Sequence, residues 1–124
     1  MGVIKCAMLF RKVLVIATGS GVGPCLSLLQ SKPDHPMRVI WSAQRPEETY
    51  GESIIKAVYR ADKQAVIVDT RKTGRGNLLA LAYAVYKRSD CEAAVIISNP
   101  TVTKQVVYGL ETRGIPAYGA VFDS

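Results

Sequence analysis

Five short runs of branched apolar residues recur along the chain, and between them the apolar positions spread out to the spacing of a helix. The runs are residues 13–17 (VLVIA), 38–42 (RVIWS), 65–69 (AVIVD), 93–98 (AAVIIS) and 117–122 (AYGAVF). They are nearly continuous in apolar character rather than alternating, which predicts strands buried on both faces, as in a parallel sheet covered by helices. Helices are predicted through residues 26–30, from about 46 to 60, over 77–87 and from about 102 to 113. Boundary signals agree with these spans. Pro46 is tolerated in a first turn, and Glu47 and Glu48 suit the positive end of the helix dipole. Asn77 is a capping residue type, Gly114 a stop, and the two prolines of SKPDHP (residues 31–36) end the first helix.

Strict alternation of strand and helix predicts the α/β class. Right-handed crossovers place the first strand centrally and give a Rossmann-like three-layer α/β/α arrangement, with a five-stranded parallel sheet in the order 3-2-1-4-5. The expected cleft lies at the carboxyl ends of strands one and four, where the strand order reverses. Residues 1–12 fit this scheme poorly and read as a lead-in segment, leaving 13–124 as the domain proper. No linker and no internal repeat interrupts it.

A chain of 124 residues forms one domain, burying on the order of 65–70% of its unfolded surface without a disulfide scaffold. Its three cysteines, Cys6, Cys25 and Cys91, make no CxxC pair, so neither a zinc site nor a secreted framework is suggested and a cytoplasmic or cytoplasm-facing location is expected. The formal charge of +6 calls for an anionic partner. Scattered basic residues and sparse aromatics fit a phosphorylated small molecule and argue against nucleic acid. Lys5, Arg11 and Lys12 break the first apolar stretch well before the roughly 18 uncharged residues of a membrane span, so none is expected.

The most specific signal is the first strand-to-helix turn, VLVIATGSGVGPCLSLL, with glycines at 19, 21 and 23. A glycine turn leading into a helix leaves backbone N–H groups free at the positive end of its dipole, and glycine lets phosphates approach the backbone closely. The ATP-type phosphate loop requires a lysine after the glycines, and none follows. A GxGxxG dinucleotide fingerprint requires glycine at 24, where Pro24 stands, and an acid ending the second strand, where Ser42 and Ala43 stand. Methyltransferases that use S-adenosylmethionine carry a similar turn with acids near positions 15 and 42; here those positions are Val15 and Ser42. That reading is an alternative with little support.

ATGSGVGP, residues 17–24, resembles the nucleotide-binding turn of the ferredoxin-NADP reductase family, and the likeness extends over most of the chain after about Lys12. SAQRPEE (residues 42–48) is similar to the polar loop and helix start that follow the second strand in that family. VDTRK sets Thr70 and Arg71 where the family holds the 2′-phosphate of NADP, and IISNP sets Ser98, Asn99 and Pro100 where many members have Cys-Gly-Pro. Independently, a hydroxyl and a guanidinium at a strand end make a good phosphate clamp.

The resemblance implies an NADP(H)-binding domain that positions the nicotinamide for hydride transfer to a flavin. The turn formed by Thr18, Gly19, Ser20, Gly21, Val22, Gly23 and Pro24 would hold the pyrophosphate, joined by Asn99 and Pro100. Thr70 and Arg71 would hold the 2′-phosphate, with Arg45 and Arg75 as auxiliary charges. Ser98 would lie nearest the reacting centre. Phe122 would either cover the flavin ring or face inward as an ordinary strand residue. FAD would come from a separate flavin-binding domain, in cis or in trans, because 124 residues leave no room for one. A non-catalytic nucleotide-binding or sensing module is the competing reading, since serine replaces the family cysteine. Cys25, His35, Trp41 and the 78, 79, 81, 82, 85 stripe of the third helix read as packing or surface residues, and no metal site is expected.

Overall fold

The computed structural model describes residues 10–31, 35–73 and 77–121. Arg75, Phe122 and residues 1–9 of the lead-in segment therefore lie outside the described residues. In chain order the elements are β1 (Val13–Thr18), a 3-10 turn (Gly19–Gly21), α1 (Val22–Ser31), β2 (Met37–Ala43), α2 (Pro46–Tyr50) and α3 (Glu52–Ala61). They continue with β3 (Val66–Asp69), α4 (Thr70–Thr73), α5 (Leu78–Arg88), β4 (Ala93–Ser98), α6 (Pro100–Glu111) and β5 (Ala117–Val121). The five strands form one sheet in the order β3-β2-β1-β4-β5, parallel throughout. This is the predicted topology.

Side chains alternate across the sheet and feed two separate cores. Val13, Val15 and Ala17 of β1, with Val39 and Trp41 of β2 and Val95 and Ile97 of β4, pack under α1 and α3. Leu14, Ile16, Ile40, Ala94 and Ile96 point the other way, onto Ala82 and Val85 of α5 and Val106 and Leu110 of α6. β1 and β4 are buried almost completely on both faces, which explains why neither run reads as alternating polar and apolar.

One expected helix is two. The predicted span 46–60 divides at Gly51, whose φ of +90° and ψ of 163° break the helical path, while its N–H closes α2 on the Glu47 carbonyl at 3.0 Å. Glycine takes this left-handed conformation without the Cβ penalty of other residues. α3 then starts afresh at an angle that lets Val58 reach the core. The last long helix begins at Pro100 rather than near 102, because Asn99 caps it: its Oδ1 accepts the Val102 N–H at 2.9 Å. Asn77 caps α5 in the same way, accepting the Ala80 N–H at 2.9 Å.

The amino end of the sheet is fastened by charge. The carboxylate of Asp62 is largely buried; its Oδ2 accepts from the Arg38 guanidinium and from the Val39 N–H, both at 2.9 Å. Arg38 also donates to the Gln64 carbonyl and to the Ser89 hydroxyl, so β2 is tied to the segment before β3 and to the end of α5. Arg11 forks onto the carboxylate of Glu92 at 3.1 and 3.2 Å. Phe10 lies 6.1 Å from the Tyr118 ring. Residues 10–12 thus pack on the domain beside β4 and β5.

Candidate functional site

A cleft of about 870 Å³ opens at the carboxyl ends of the strands. Its floor is Thr18 and Gly19 after β1, Ser42, Ala43 and Gln44 at the end of β2, and Thr70 after β3; its wall is the first turns of α5 and α6, with Asn77, Leu78, Leu79, Asn99, Val102, Gln105 and Val106. It straddles the point where the chain reverses direction across the sheet. Among the described residues none of those lining it is charged: hydroxyls and carboxamides supply its polar surface, and leucine and valine the rest.

The glycine turn has a different reason for each glycine. Gly19 takes φ of +53°, and a Cβ on Gly21 would stand 2.6 Å from the Ile97 carbonyl oxygen. Gly21 is therefore required where the turn crosses β4. Nothing lies within 4 Å of the corresponding position on Gly23, which is exposed at the second residue of α1 and leaves that face open to a ligand. Pro24 falls in the first turn of α1, where its missing N–H forfeits no helical bond.

Of the residues singled out from sequence, Thr18, Gly19, Thr70 and Asn99 come together on the cleft. Ser98 does not face it. It is 1% exposed, and its hydroxyl is hydrogen-bonded to that of Thr18, so Thr18 stands between Ser98 and the open space. Asn99 lines the cleft while capping α6, with the exposed Pro100 as the first helical residue.

Arg71 is exposed beside Thr70 in α4, and its N–H donates to Asp69 Oδ1 at 3.0 Å. Arg45, in the left-handed region with φ of +44°, pairs with Glu48 at 3.7 Å. It borders a second, smaller groove of about 290 Å³ that also touches Ile55, Tyr59, Asp69 and Lys72. Neither arginine lines the main cleft itself, but each follows a residue that does, Gln44 before Arg45 and Thr70 before Arg71.

Sequence reasoning missed Gln44 and Gln105 on the cleft, and the support beneath the turn. The indole N–H of Trp41 donates to the Gly19 carbonyl at 3.0 Å. No local pattern announces this contact, because it joins two elements across the sheet. Cys25, in the first helical turn, is a packing residue: burial pushes its thiol up to about 12, which opposes the lowering that a helix N-terminus can bring. Burial likewise raises the Cys91 thiol. Among the described residues there is no His, Cys, Asp and Glu cluster able to hold a metal, and no helix is long and apolar enough to cross a membrane.

This sheet order, with its cleft at the switch point, defines a Rossmann-like α/β domain. The same fold is found in the C-terminal domain of a hydrogenase from Pyrococcus furiosus, with a TM-score of 0.56, 17% identity and coverage of 89% of this chain and 91% of that one. The flavohem-like FAD/NAD-binding domain of nitric oxide dioxygenase from Vibrio cholerae also shares it, with a TM-score of 0.54, 12% identity and coverage of 90% and 51%.

The family is more specific than the fold. The model for the C-terminal domain of Adenylate-forming reductase 03009 matches residues 3–124, and the chain belongs to that family. Adenylate-forming reductases 03009 and 06235 of Coprinopsis cinerea are each 44% identical to it over 123 residues, covering 99% of this chain. The chain spans about 12% of the length of these curated relatives. It matches the C-terminal domain of Adenylate-forming reductase 03009.

Proposed function

We propose that this chain is the NADP(H)-binding domain of an adenylate-forming reductase, holding the nicotinamide for hydride transfer to a flavin carried by another domain or another chain. The carrying observation is the cleft itself. In one continuous space it joins the glycine turn after β1, the Thr70 hydroxyl after β3 and Asn99 after β4. A dinucleotide laid across the switch point meets those three places in turn.

The residues present fit such a ligand. Volume in this range accommodates a large cofactor. The open face of Gly23 and the N–H groups of the 3-10 turn that leads into α1 suit a pyrophosphate. Arg71, exposed next to Thr70, supplies a cation where the lining is neutral and favours a 2′-phosphate over a bare ribose hydroxyl. Leu78, Leu79, Val102 and Val106 give apolar wall against which a planar ring can pack and water is displaced.

Reduced nicotinamide, when bound, supplies the hydride, which is a proton with two electrons, and the flavin accepts it. This chain's part is position: Thr18 and Asn99 line the cleft, Thr18 held through its hydroxyl by Ser98 and Asn99 held by its cap on the Val102 N–H. That burial of Ser98 also supports a second reading, a domain that binds nucleotide without taking part in redox chemistry.

Calorimetric titration with NADP⁺, NAD⁺ and S-adenosylmethionine tests the proposal. Tightest binding of NADP⁺ is expected; binding of S-adenosylmethionine alone would transfer the turn to methyltransferase chemistry. Reduction of an added flavin-binding domain by NADPH separates the redox reading from the binding-only one.

A further inference from the structure

The geometry points to Trp41 as a positioning residue for the nucleotide turn, an inference that rests on the dinucleotide reading above. Trp41 is fully buried on β2, and its indole N–H reaches the Gly19 carbonyl at 3.0 Å. That carbonyl also accepts the Val22 N–H that closes the 3-10 turn. Two donors satisfy both lone pairs of the oxygen, so Gly19 turns no free carbonyl lone pair toward an approaching anion.

The peptide plane carries this constraint further. In a trans peptide the carbonyl of one residue and the N–H of the next point in opposite directions. Tying the Gly19 carbonyl to the indole therefore sets the Ser20 N–H facing away from Trp41. Gly19 holds φ of +53° at the cleft edge, and the two bonds to its carbonyl fix the peptide that follows it. Tyr50 braces the indole from the side, its ring edge-on at 5.1 Å and 72°, and its hydroxyl lies 3.9 Å from where a Gly19 Cβ would stand. β2 and α2 thus hold the turn of β1 in the orientation that presents N–H groups to a phosphate.

Trp41 is the single tryptophan of the chain, so its indole N–H gives one resolvable resonance in a ¹⁵N-correlated spectrum. Adding NADP⁺ to the wild-type chain is expected to shift that resonance. Trp41→Phe, which keeps an aromatic ring but removes the donor, is expected to weaken NADP⁺ binding about three- to tenfold, the worth of one hydrogen bond. A residue that only fills space would tolerate Trp41→Phe with its NADP⁺ affinity unchanged. An unmoved resonance, or a folded Trp41→Phe that binds NADP⁺ as tightly as wild type, overturns the inference while leaving the dinucleotide reading intact. If the wild type binds no dinucleotide, that reading falls and this inference with it. Where Trp41→Phe does not fold, the wild-type resonance decides.

Discussion

Asp69 accepts the backbone N–H of Arg71 through Oδ1 at 3.0 Å, and the same oxygen takes the N–H of Arg45, also at 3.0 Å. One carboxylate at the end of the edge strand thereby ties down the backbone at both candidate phosphate-binding arginines, Arg45 at the start of α2 and Arg71 in α4. Asp69→Ala is expected to lower the unfolding free energy by about 1–3 kcal/mol, the cost of losing hydrogen bonds to a charged acceptor. Asp69→Asn, which keeps a carbonyl oxygen, should lose less. Urea denaturation of the three chains checks both.

The glycines of the turn separate structural from ligand roles. Gly21→Ala puts a Cβ against the Ile97 carbonyl at 2.6 Å, a backbone atom that cannot move aside cheaply, and should destabilise by about 1–3 kcal/mol. Gly23→Ala meets nothing within 4 Å and gains helix propensity, so stability should hold or rise by up to about 1 kcal/mol. Its NADP⁺ affinity should fall, because the methyl occupies the face offered to phosphate. Thermal melts alongside titrations of both variants show whether the two effects part in this way.

Cys25, with its thiol pushed up to about 12 by burial, is neutral at pH 8 and shielded. Alkylating reagent applied to the native chain should leave Cys25 unmodified, and addition of denaturant should expose it; peptide mapping after labelling at each condition reports the change.

Glu92 is held below the ordinary carboxylate range, chiefly by the Arg11 backbone N–H and then by its guanidinium. A carboxyl whose folded value lies below its unfolded value adds stability at higher pH, and loses that contribution as pH falls through the folded value. Glu92→Gln should therefore melt lower than wild type at neutral pH, with the gap closing below the ordinary glutamate range. Melting curves across pH 3–7 for both chains follow that gap, roughly spanning the carboxylate range.

The sheet order was legible because the β-branched runs are unambiguous and right-handed crossovers leave few ways to connect them. The break at Gly51 was not. TYGES sits inside a pattern whose apolar spacing continues across it, and only the backbone conformation of Gly51 separates the two helices. Asn99 followed by Pro100 is a helix start by its own chemistry, a capping side chain and a proline in the first turn, two residues ahead of the expected start near 102. The candidate site divides along the same line. Thr18, Gly19, Thr70 and Asn99 follow from strand ends, which topology brings together. Trp41 beneath Gly19, Thr18 in front of Ser98 and Asp69 between two arginines are contacts across strands or loops, for which no local spacing gives a sign.

In the proposed reading Arg71 meets the 2′-phosphate of NADP(H) bound in this cleft. Calorimetric comparison of NADP⁺ and NAD⁺ on wild type and Arg71→Ala tests it most directly. NADP⁺ is expected to bind wild type more tightly than NAD⁺ does, and Arg71→Ala to remove about 1.5–3 kcal/mol from NADP⁺ binding while leaving NAD⁺ nearly unchanged. Equal affinities for the two dinucleotides in wild type, or an equal loss for both in the variant, would contradict it.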